Sequence, residues 1–206
     1  SPHVLEKRRR RRAEILHAAL RAFRDKGYHA TTLDDIALHV GVRKTALYHY
    51  FPDQQTILHE CHREASAELA RILREARTLE TAREQLTHVI REHVRVMTET
   101  LEGSPLAFEV TAFSPERQRE LMAARDAYER GVRRIIARGI RDREFRKVDS
   151  KVAVFVILGA INWIARWYRP GGQVGPEAVA ESFRDLFMEG LRTRAKRGAA
   201  RPAHAS

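Results

Sequence analysis

Apolar residues along this chain recur at intervals of three and four, the helical period, and no stretch alternates as a strand would. From about Ala13 to Lys26, the residues Ile15, Leu16, Ala19, Leu20 and Phe23 fall on one face. Leu33, Ile36, Ala37 and Val40 stand at i, i+3, i+4 and i+7 and predict a second, short helix. Thr31 or Thr32 can cap it, Asp34 and Asp35 suit its positive N-terminal end, and Gly41 supplies a left-handed exit. Val42 and Leu47 can fold a third helix back onto the second. Asp53 can cap a long helix reaching about Thr78. The next, from about Thr81 to Leu101, carries Leu86, Val89, Ile90, His93, Val94 and Met97. Gly103-Ser104-Pro105 breaks it, and a short segment, Leu106 to Phe113, follows. Ser114-Pro115 opens a helix to about Arg141 with a cap and an N1 proline. Asp149 caps an apolar helix over about Ser150 to Arg169, ended by Pro170-Gly171-Gly172. Gly175-Pro176 opens the last, from Glu177 to about Arg192. The expectation is an all-α chain of about nine helices.

The second and third helices carry the strongest functional signal. Two short helices around a tight turn form a helix-turn-helix unit, whose second helix lies in the DNA major groove. Packing Val42 and Leu47 inward leaves Arg43, Lys44, Thr45, Tyr48 and His49 facing outward. Arginine and lysine reach phosphates or guanine edges, hydroxyls bond phosphates, and a tyrosine ring can touch a thymine methyl.

Gly41-Val42-x-Lys44-x-x-Leu47-Tyr48-His49-Tyr50-Phe51, following Thr32-Leu33-Asp34-Asp35-Ile36-Ala37, resembles the N-terminal DNA-binding domain of TetR-type transcriptional regulators. Ile15, Leu16, Ala19, Leu20 and Phe23, followed by Gly27-Tyr28, are similar to that family's first helix and its exit. The likeness spans roughly residues 10 to 58. Two positions depart from it: Gln54 stands where many relatives have a phosphate-contacting lysine, and Arg43 where a small polar residue is common. The resemblance implies a helix-turn-helix DNA-binding domain (13–52) and a ligand-binding and dimerisation domain (53–192), while the charge distribution adds a basic N-terminal arm (1–12) and a basic tail expected to be disordered (193–206). It carries Thr31, Thr32, Arg43, Lys44, Thr45, Tyr48, His49 and Gln54 into the expected DNA contact.

Charge sharpens that picture. The chain is formally +11. Residues 1–12 hold Lys7 and Arg8, Arg9, Arg10, Arg11 and Arg12 against Glu6 alone, a net +5. Residues 192–206 contribute another +5, so the body between is close to neutral. The Arg8–Arg12 run abuts the helix-turn-helix and is expected to supply much of the salt-dependent attraction to phosphates.

The apolar helix beginning at Ser150 has almost no polar face across Val152, Ala153, Val154, Phe155, Val156, Ile157, Leu158 and Ile161. A helix apolar all round must be covered on every side, and a second copy of the chain would cover it. The last helix bears an amphipathic stripe of Val179, Phe183, Leu186 and Phe187. The resemblance implies that these two helices build a four-helix homodimer interface through Phe155, Leu158, Val179, Phe183, Leu186 and Phe187. A two-fold dimer matches a palindromic operator.

The resemblance also implies an effector cavity in the larger domain. Asn162-Trp163-Ile164-Ala165-Arg166-Trp167-Tyr168-Arg169-Pro170-Gly171-Gly172 looks like the same segment of TetR-type repressors that answer to acyl-CoA thioesters in lipid, sterol or aromatic-acid breakdown. Indole rings can stack an adenine and arginines can pair with phosphates. The expected ligand residues are therefore Asn162, Trp163, Arg166, Trp167 and Arg169, with an acyl channel lined by Met97, Phe108 and Phe113. The expected function is a repressor released from DNA by an acyl-CoA, with no cofactor. A regulator of efflux or stress genes answering to a lipophilic drug-like ligand is the alternative.

Other chemistry is thin. His59 and His62 could share an ion but lack a third ligand, and Cys61 points elsewhere on the helix. No metal site is expected. An enzyme acting on acyl thioesters would need a placed base or nucleophile, and none is evident. No run of eighteen apolar residues predicts a membrane span, and the basic N-terminal segment leads into an amphipathic helix rather than a signal peptide. The single cysteine fits a reducing cytoplasm. A protein held on a membrane surface by its basic tails would leave Thr31 to Phe51 unexplained.

Overall fold

A computed structural model describes residues 2–104 and 111–192, and among these the regular structure is all helical, joined by turns, with one isolated bridge between Phe145 and Arg192. The helices are α1 (Pro2–Lys26), α2 (Leu33–Val40), α3 (Lys44–Leu47), α4 (Gln54–Ala76), α5 (Ala82–Arg95), α6 (Pro115–Arg141), α7 (Ser150–Trp167) and α8 (Pro176–Leu191). The short segment Leu106 to Phe113 falls mostly outside the described residues, and its last three residues form a turn. Eight helices are therefore described where about nine are expected. The tail 193–206 also lies outside the described residues.

Caps explain most boundaries. Thr32, not Thr31, caps α2: its hydroxyl accepts from Asp35 N–H at 3.2 Å and Asp35 accepts from Thr32 N–H at 2.8 Å, a reciprocal capping box. Gly41, at φ +74°, ends the helix in the left-handed region. Asp53, Thr81, Ser114 and Asp149 cap α4, α5, α6 and α7.

The first helix differs from the sequence expectation. It begins at Pro2, and the arginine run continues it rather than forming a separate irregular arm. No glycine interrupts residues 3–26, and arginine is a good helix former. Arg9 pairs with Glu6 at 3.8 Å, and Arg10 and Arg11 pair with Glu14 at 3.2 and 2.8 Å. Such exposed pairs add only tenths of a kcal/mol each.

Two groupings share one continuous core. The N-terminal one packs Ile15, Leu16, Ala19 and Phe23 of α1 against Ile36, Leu47 and Phe51. In the larger one, α4, α5, α6 and α7 pack around a cavity, with α8 against α5. Arg91 and Arg95 both reach Glu177 across the α5–α8 seam, at 2.9 and 2.7 Å. After Arg95 the chain continues as one π turn, Val96–Thr100, in which Leu101 N–H donates to the Val96 carbonyl at 2.8 Å. Such turns concentrate at functional sites.

By length and composition α7 could cross a membrane. Its residues Val154, Ile157, Ile161, Ile164 and Ala165 instead pack into the core. The opposite face is bare: Val152, Phe155, Val156, Trp163 and Trp167 are exposed, and Leu186 of α8 is 74 % exposed.

Candidate nucleic-acid interface and effector cavity

The head presents the surface that its sequence requires. Leu47 is fully buried and Val42 packs against the core, which fixes α3 on α2. Arg43, Thr45, Tyr48 and His49 are exposed along one edge of α3 and the turn following it. Lys44 is half-buried and pairs with Asp34 at 2.9 Å, and that hydrogen bond raises the lysine pKa. Asp35 is held down to about 2, first by its hydrogen bond from Lys26 and then by the Thr32 N–H and hydroxyl. Both acids are thus committed to neighbours in the head.

Thr31, Gln54 and Arg12, also expected DNA contacts, likewise have partners within the protein. Thr31 is buried, and its hydroxyl donates to the carbonyls of Gly27 at 2.7 Å and Ala22 at 3.2 Å. It fastens the α1–α2 corner and does not reach the surface. Gln54 donates to the Tyr28 carbonyl at 2.9 Å, tying the start of α4 to the exit of α1. Arg12 donates to the Tyr50 carbonyl and to Glu60 of α4, each at 3.0 Å, and lies 4.4 Å over the Phe51 ring. Arg8, Arg9 and Arg10 are exposed, and Arg11 is half-buried.

Behind the head, α4, α5, α6 and α7 enclose a cavity of about 430 Å³. Its walls are Ala65, Leu69, Val96, Met97, Leu101 and Leu158, with His62, His93, Arg125, Tyr128 and Asn162 among them. The exposed members Asp126, Phe155 and Gly159 mark the mouth, between α6 and α7. Desolvation pushes His62 down to about 3 and His93 to about 4, so both imidazoles are neutral near pH 7. His93 Nδ1 lies 3.3 Å from the Tyr128 hydroxyl, and burial raises that phenol's pKa beyond its usual range. Arg125, half-buried, has its pKa lowered by desolvation.

Of the expected ligand residues, Met97 and Asn162 line this cavity. Phe113 stands behind it, edge-on to His59 and His62 with ring centroids 5.8 and 5.3 Å apart. Phe108 lies outside the described residues. Trp163, Arg166, Trp167 and Arg169 are exposed and are not on the cavity wall, because helical rotation carries them to the outer face of α7 and its exit. The expected dimer residues also divide. Phe155 and Leu158 line the cavity, and Leu186 is exposed. Phe183 and Phe187 are half-buried and stack edge-on, with centroids 6.0 Å apart. Val179 is buried within its own chain because α8 turns that side toward α5.

His62, His93, Arg125 and Tyr128 line the cavity and were not among the expected ligand residues. Their signal was polar residues standing in the apolar register of α4, α5 and α6. A further group connects the cavity to the head. Glu102, at φ +48° just after the π turn, lies 3.5 Å from both Arg21 and Arg24 of α1 and 3.7 Å from His17. The π turn supplies Val96 and Met97 to the cavity, so this ion cluster joins the cavity floor to the first helix.

Comparison with known proteins adds the family context. Residues 15–61 match the family described as bacterial regulatory proteins, tetR family, and residues 79–191 match the tetracyclin repressor-like C-terminal domain. The HTH-type transcriptional repressor KstR2 of Rhodococcus jostii is 28 % identical over 191 residues, covering 88 % of this chain and 91 % of that protein. The TetR family regulator PfmR of Thermus thermophilus has a structure similar at TM-score 0.76 and 33 % identity, over 87 % of this chain and 99 % of that one. AibR, solved with isovaleryl coenzyme A and operator DNA, shares the fold at TM-score 0.74 and 22 % identity, over 88 % of this chain and 98 % of its own.

Proposed function

Because the chain belongs to the TetR family of bacterial regulatory proteins, we propose that it is a ligand-responsive transcriptional repressor whose operator affinity is set by an acyl-CoA. The observation that carries the reading is α4. One 23-residue helix holds the head at its start, through Gln54 and Glu60, and walls the cavity with His62, Ala65, Ser66 and Leu69. From Gln54 to His62 is only about 12 Å along the axis at ~1.5 Å per residue. A ligand that shifts α4 therefore shifts the head. Effector and operator then compete through two head geometries, with a coupling of ~1–3 kcal/mol typical of such linkage.

The active form is a homodimer. The bare faces of α7 and α8 are too apolar to leave in water, and a second copy covers them. Val152, Phe155, Val156 and Leu186 carry this contact. The resulting two-fold axis presents two α3 surfaces to a palindromic site. Arg43, Thr45, Tyr48 and His49 face the bases and phosphates, and Arg8 to Arg11 extend the positive surface along the backbone.

A cavity of about 430 Å³ accepts an acyl group but not a whole coenzyme A. The thioester would pass between Asp126, Phe155 and Gly159, leaving the nucleotide over the outer face of α7. There Trp163 and Trp167 offer stacking surfaces, and Arg166 and Arg169 offer charge to phosphates. AibR, of the same fold, binds an acyl-CoA, which supports the class.

The test is a gel shift with a palindrome-bearing fragment from upstream of the gene, with and without fatty, aromatic and alicyclic acyl-CoAs. Specific binding released by one thioester class is expected, and Trp167→Ala or Arg166→Ala is expected to spare DNA binding while blunting release. Specific binding that no thioester disturbs moves the effector to a lipophilic compound without coenzyme A. No specific binding at all ends the repressor reading.

A further inference from the structure

Helix α1 is tethered to the larger domain by polar contacts at two places. Arg12 reaches Glu60 of α4 at 3.0 Å. Further along, Arg21 and Arg24 each lie 3.5 Å from the Glu102 carboxylate, and Arg24 also donates to the Glu102 carbonyl at 3.3 Å. His17 Nδ1 stands 3.7 Å from the same carboxylate. The Glu102 side chain is 21 % exposed and that of Arg24 16 %, so water is largely withdrawn from this contact. Arg12 and Arg24 are about 18 Å apart along the helix at ~1.5 Å per residue. A helix held at both places keeps its tilt, and one held at a single place can swing.

The other end of the second tether is the cavity. Glu102 follows Leu101, which lines the cavity, and the π turn before it supplies Val96 and Met97 to the same wall. Gly103 N–H donates to the Met97 carbonyl at 2.9 Å, which binds the segment to the turn. Glu102 is at φ +48°, a left-handed conformation uncommon for a residue with a Cβ. Such backbone persists only where its surroundings hold it. Here they are the arginines of α1 on one side and the exit of α7 on the other, where a Cβ at Gly103 would meet the Tyr168 carbonyl at 3.0 Å. A body entering the cavity against Met97 or Leu101 therefore bears on the segment that carries Glu102.

We propose that Glu102 is a positioning residue for operator binding: its carboxylate, bound by Arg21 and Arg24, holds α1 and the head at the tilt that fits the operator, and occupation of the cavity releases it through the π turn. This rests on the repressor reading and adds to α4 a second route from the same cavity to the head.

The sign of one substitution separates this role from plain electrostatics. Glu102→Gln removes a negative charge, which by charge alone tightens binding to a polyanion. Loss of the tether is expected instead to weaken binding of the full chain to the palindrome-bearing upstream fragment by about fivefold or more, the lower end of typical allosteric couplings. The salt slope should stay the same, since no phosphate contact is lost. A second readout uses the wild type. The chain has three methionines, Met97, Met122 and Met188. With 13C-methyl labelling, Met97 reports the cavity side of the π turn and the other two serve as references. Because linkage is reciprocal, operator binding should shift the Met97 methyl in the wild type, and the shift should be lost in Glu102→Gln at saturating DNA. A cluster that only stabilised the fold would leave that response in place. Should Glu102→Gln not fold, Arg21→Gln, at a side chain 37 % exposed, replaces it in the methyl measurement and should reduce the shift. Unchanged or tighter operator binding by folded Glu102→Gln, a wild-type Met97 resonance indifferent to the operator, or an equal response in the variant would each overturn the assignment and leave the repressor standing. No specific binding by the wild type would end both.

Discussion

Arg12 and its neighbours in the arginine run look equivalent in sequence, yet the structure assigns them different work, and substitution separates them. The Arg12 guanidinium makes two charge-assisted hydrogen bonds, to the Tyr50 carbonyl and to Glu60, and covers the Phe51 ring. Its side chain is 34 % exposed and that of Glu60 is 17 % exposed, so solvent screens the pair only in part. A hydrogen bond to a charged group is worth about 1.5–3 kcal/mol when well desolvated, and a cation–π contact about 0.5–1 kcal/mol at exposed sites. Discounting for exposure, Arg12→Ala should cost about 2–3 kcal/mol. In a domain of this size that lowers Tm by roughly 4–9 °C. Arg9, Arg10 and Arg11 make exposed pairs with Glu6 and Glu14, each worth ~0.2–1 kcal/mol at most. Their joint replacement by glutamine should move Tm by only a degree or two.

DNA binding should show the reverse pattern. Removing one phosphate-binding cation reduces the slope of log K against log salt by about 0.9. The Arg9–Arg11 triple variant should flatten the slope by one to three such steps, according to how many of them touch phosphates. Arg12→Ala should leave the slope unchanged while lowering affinity through a loosened α3–α4 junction. The assays are thermal denaturation and fluorescence anisotropy over a range of salt. An Arg12→Ala protein with wild-type Tm and a slope reduced by about one would refute the assignment and make Arg12 a phosphate ligand. Glu60→Gln gives an independent check, since it should reproduce part of the stability loss without removing a positive charge.

Three other outcomes are expected. In α6, a Cβ at Gly139 would lie 2.2 and 2.4 Å from the Phe145 ring and 3.0 Å from Ala82 Cβ; Gly139→Ala should therefore lose about 1–2 kcal/mol in urea denaturation, the overpacking exceeding a helix-propensity gain of ~1 kcal/mol, and a stabilised variant would sink the packing account. His62 and His93 have native pKa values near 3 and 4 against a usual 6.5, so the unfolded chain takes up their protons first. Stability should then be full above about pH 6.5 and fall as the pH drops toward 4, with His93→Phe removing about half the slope between pH 6.5 and 5; a flat profile there contradicts their burial. Finally, Val156→Glu combined with Leu186→Glu should give a monomer in sedimentation and abolish operator binding, whereas an unchanged mass would place the interface elsewhere.

Local signals carried the head almost completely. The register of Leu33, Ile36, Ala37 and Val40, the left-handed Gly41 and the caps at Asp53, Ser114 and Asp149 are short-range effects, readable wherever a few neighbouring residues decide the conformation, and the sequence narrowed the α2 cap to Thr31 or Thr32. The bare apolar face of α7 was legible for the same reason: a helix with almost no polar side needs a cover, whatever the rest of the fold does. What covers each side was not legible. Val179 and Leu186 share one helix and read alike, yet α5 buries the first and leaves the second in solvent. Trp163 and Trp167 read as ligand residues and stand outside the cavity, while His62, His93, Arg125 and Tyr128 stand on its wall. Arg8 to Arg12 read as one charge run, but Arg12 alone of these reaches back to Glu60, 48 positions along the chain. Sequence alone determined most of the helices, their capped starts from α4 to α7 and the DNA-reading motif, because those follow from bonds spanning a few residues, while the start of α1 and the π turn after Arg95 were not read from it. Tertiary structure alone decided which polar groups share the cavity and which arginine braces the head, because those contacts join distant segments and depend on how each helix is rotated against its neighbours.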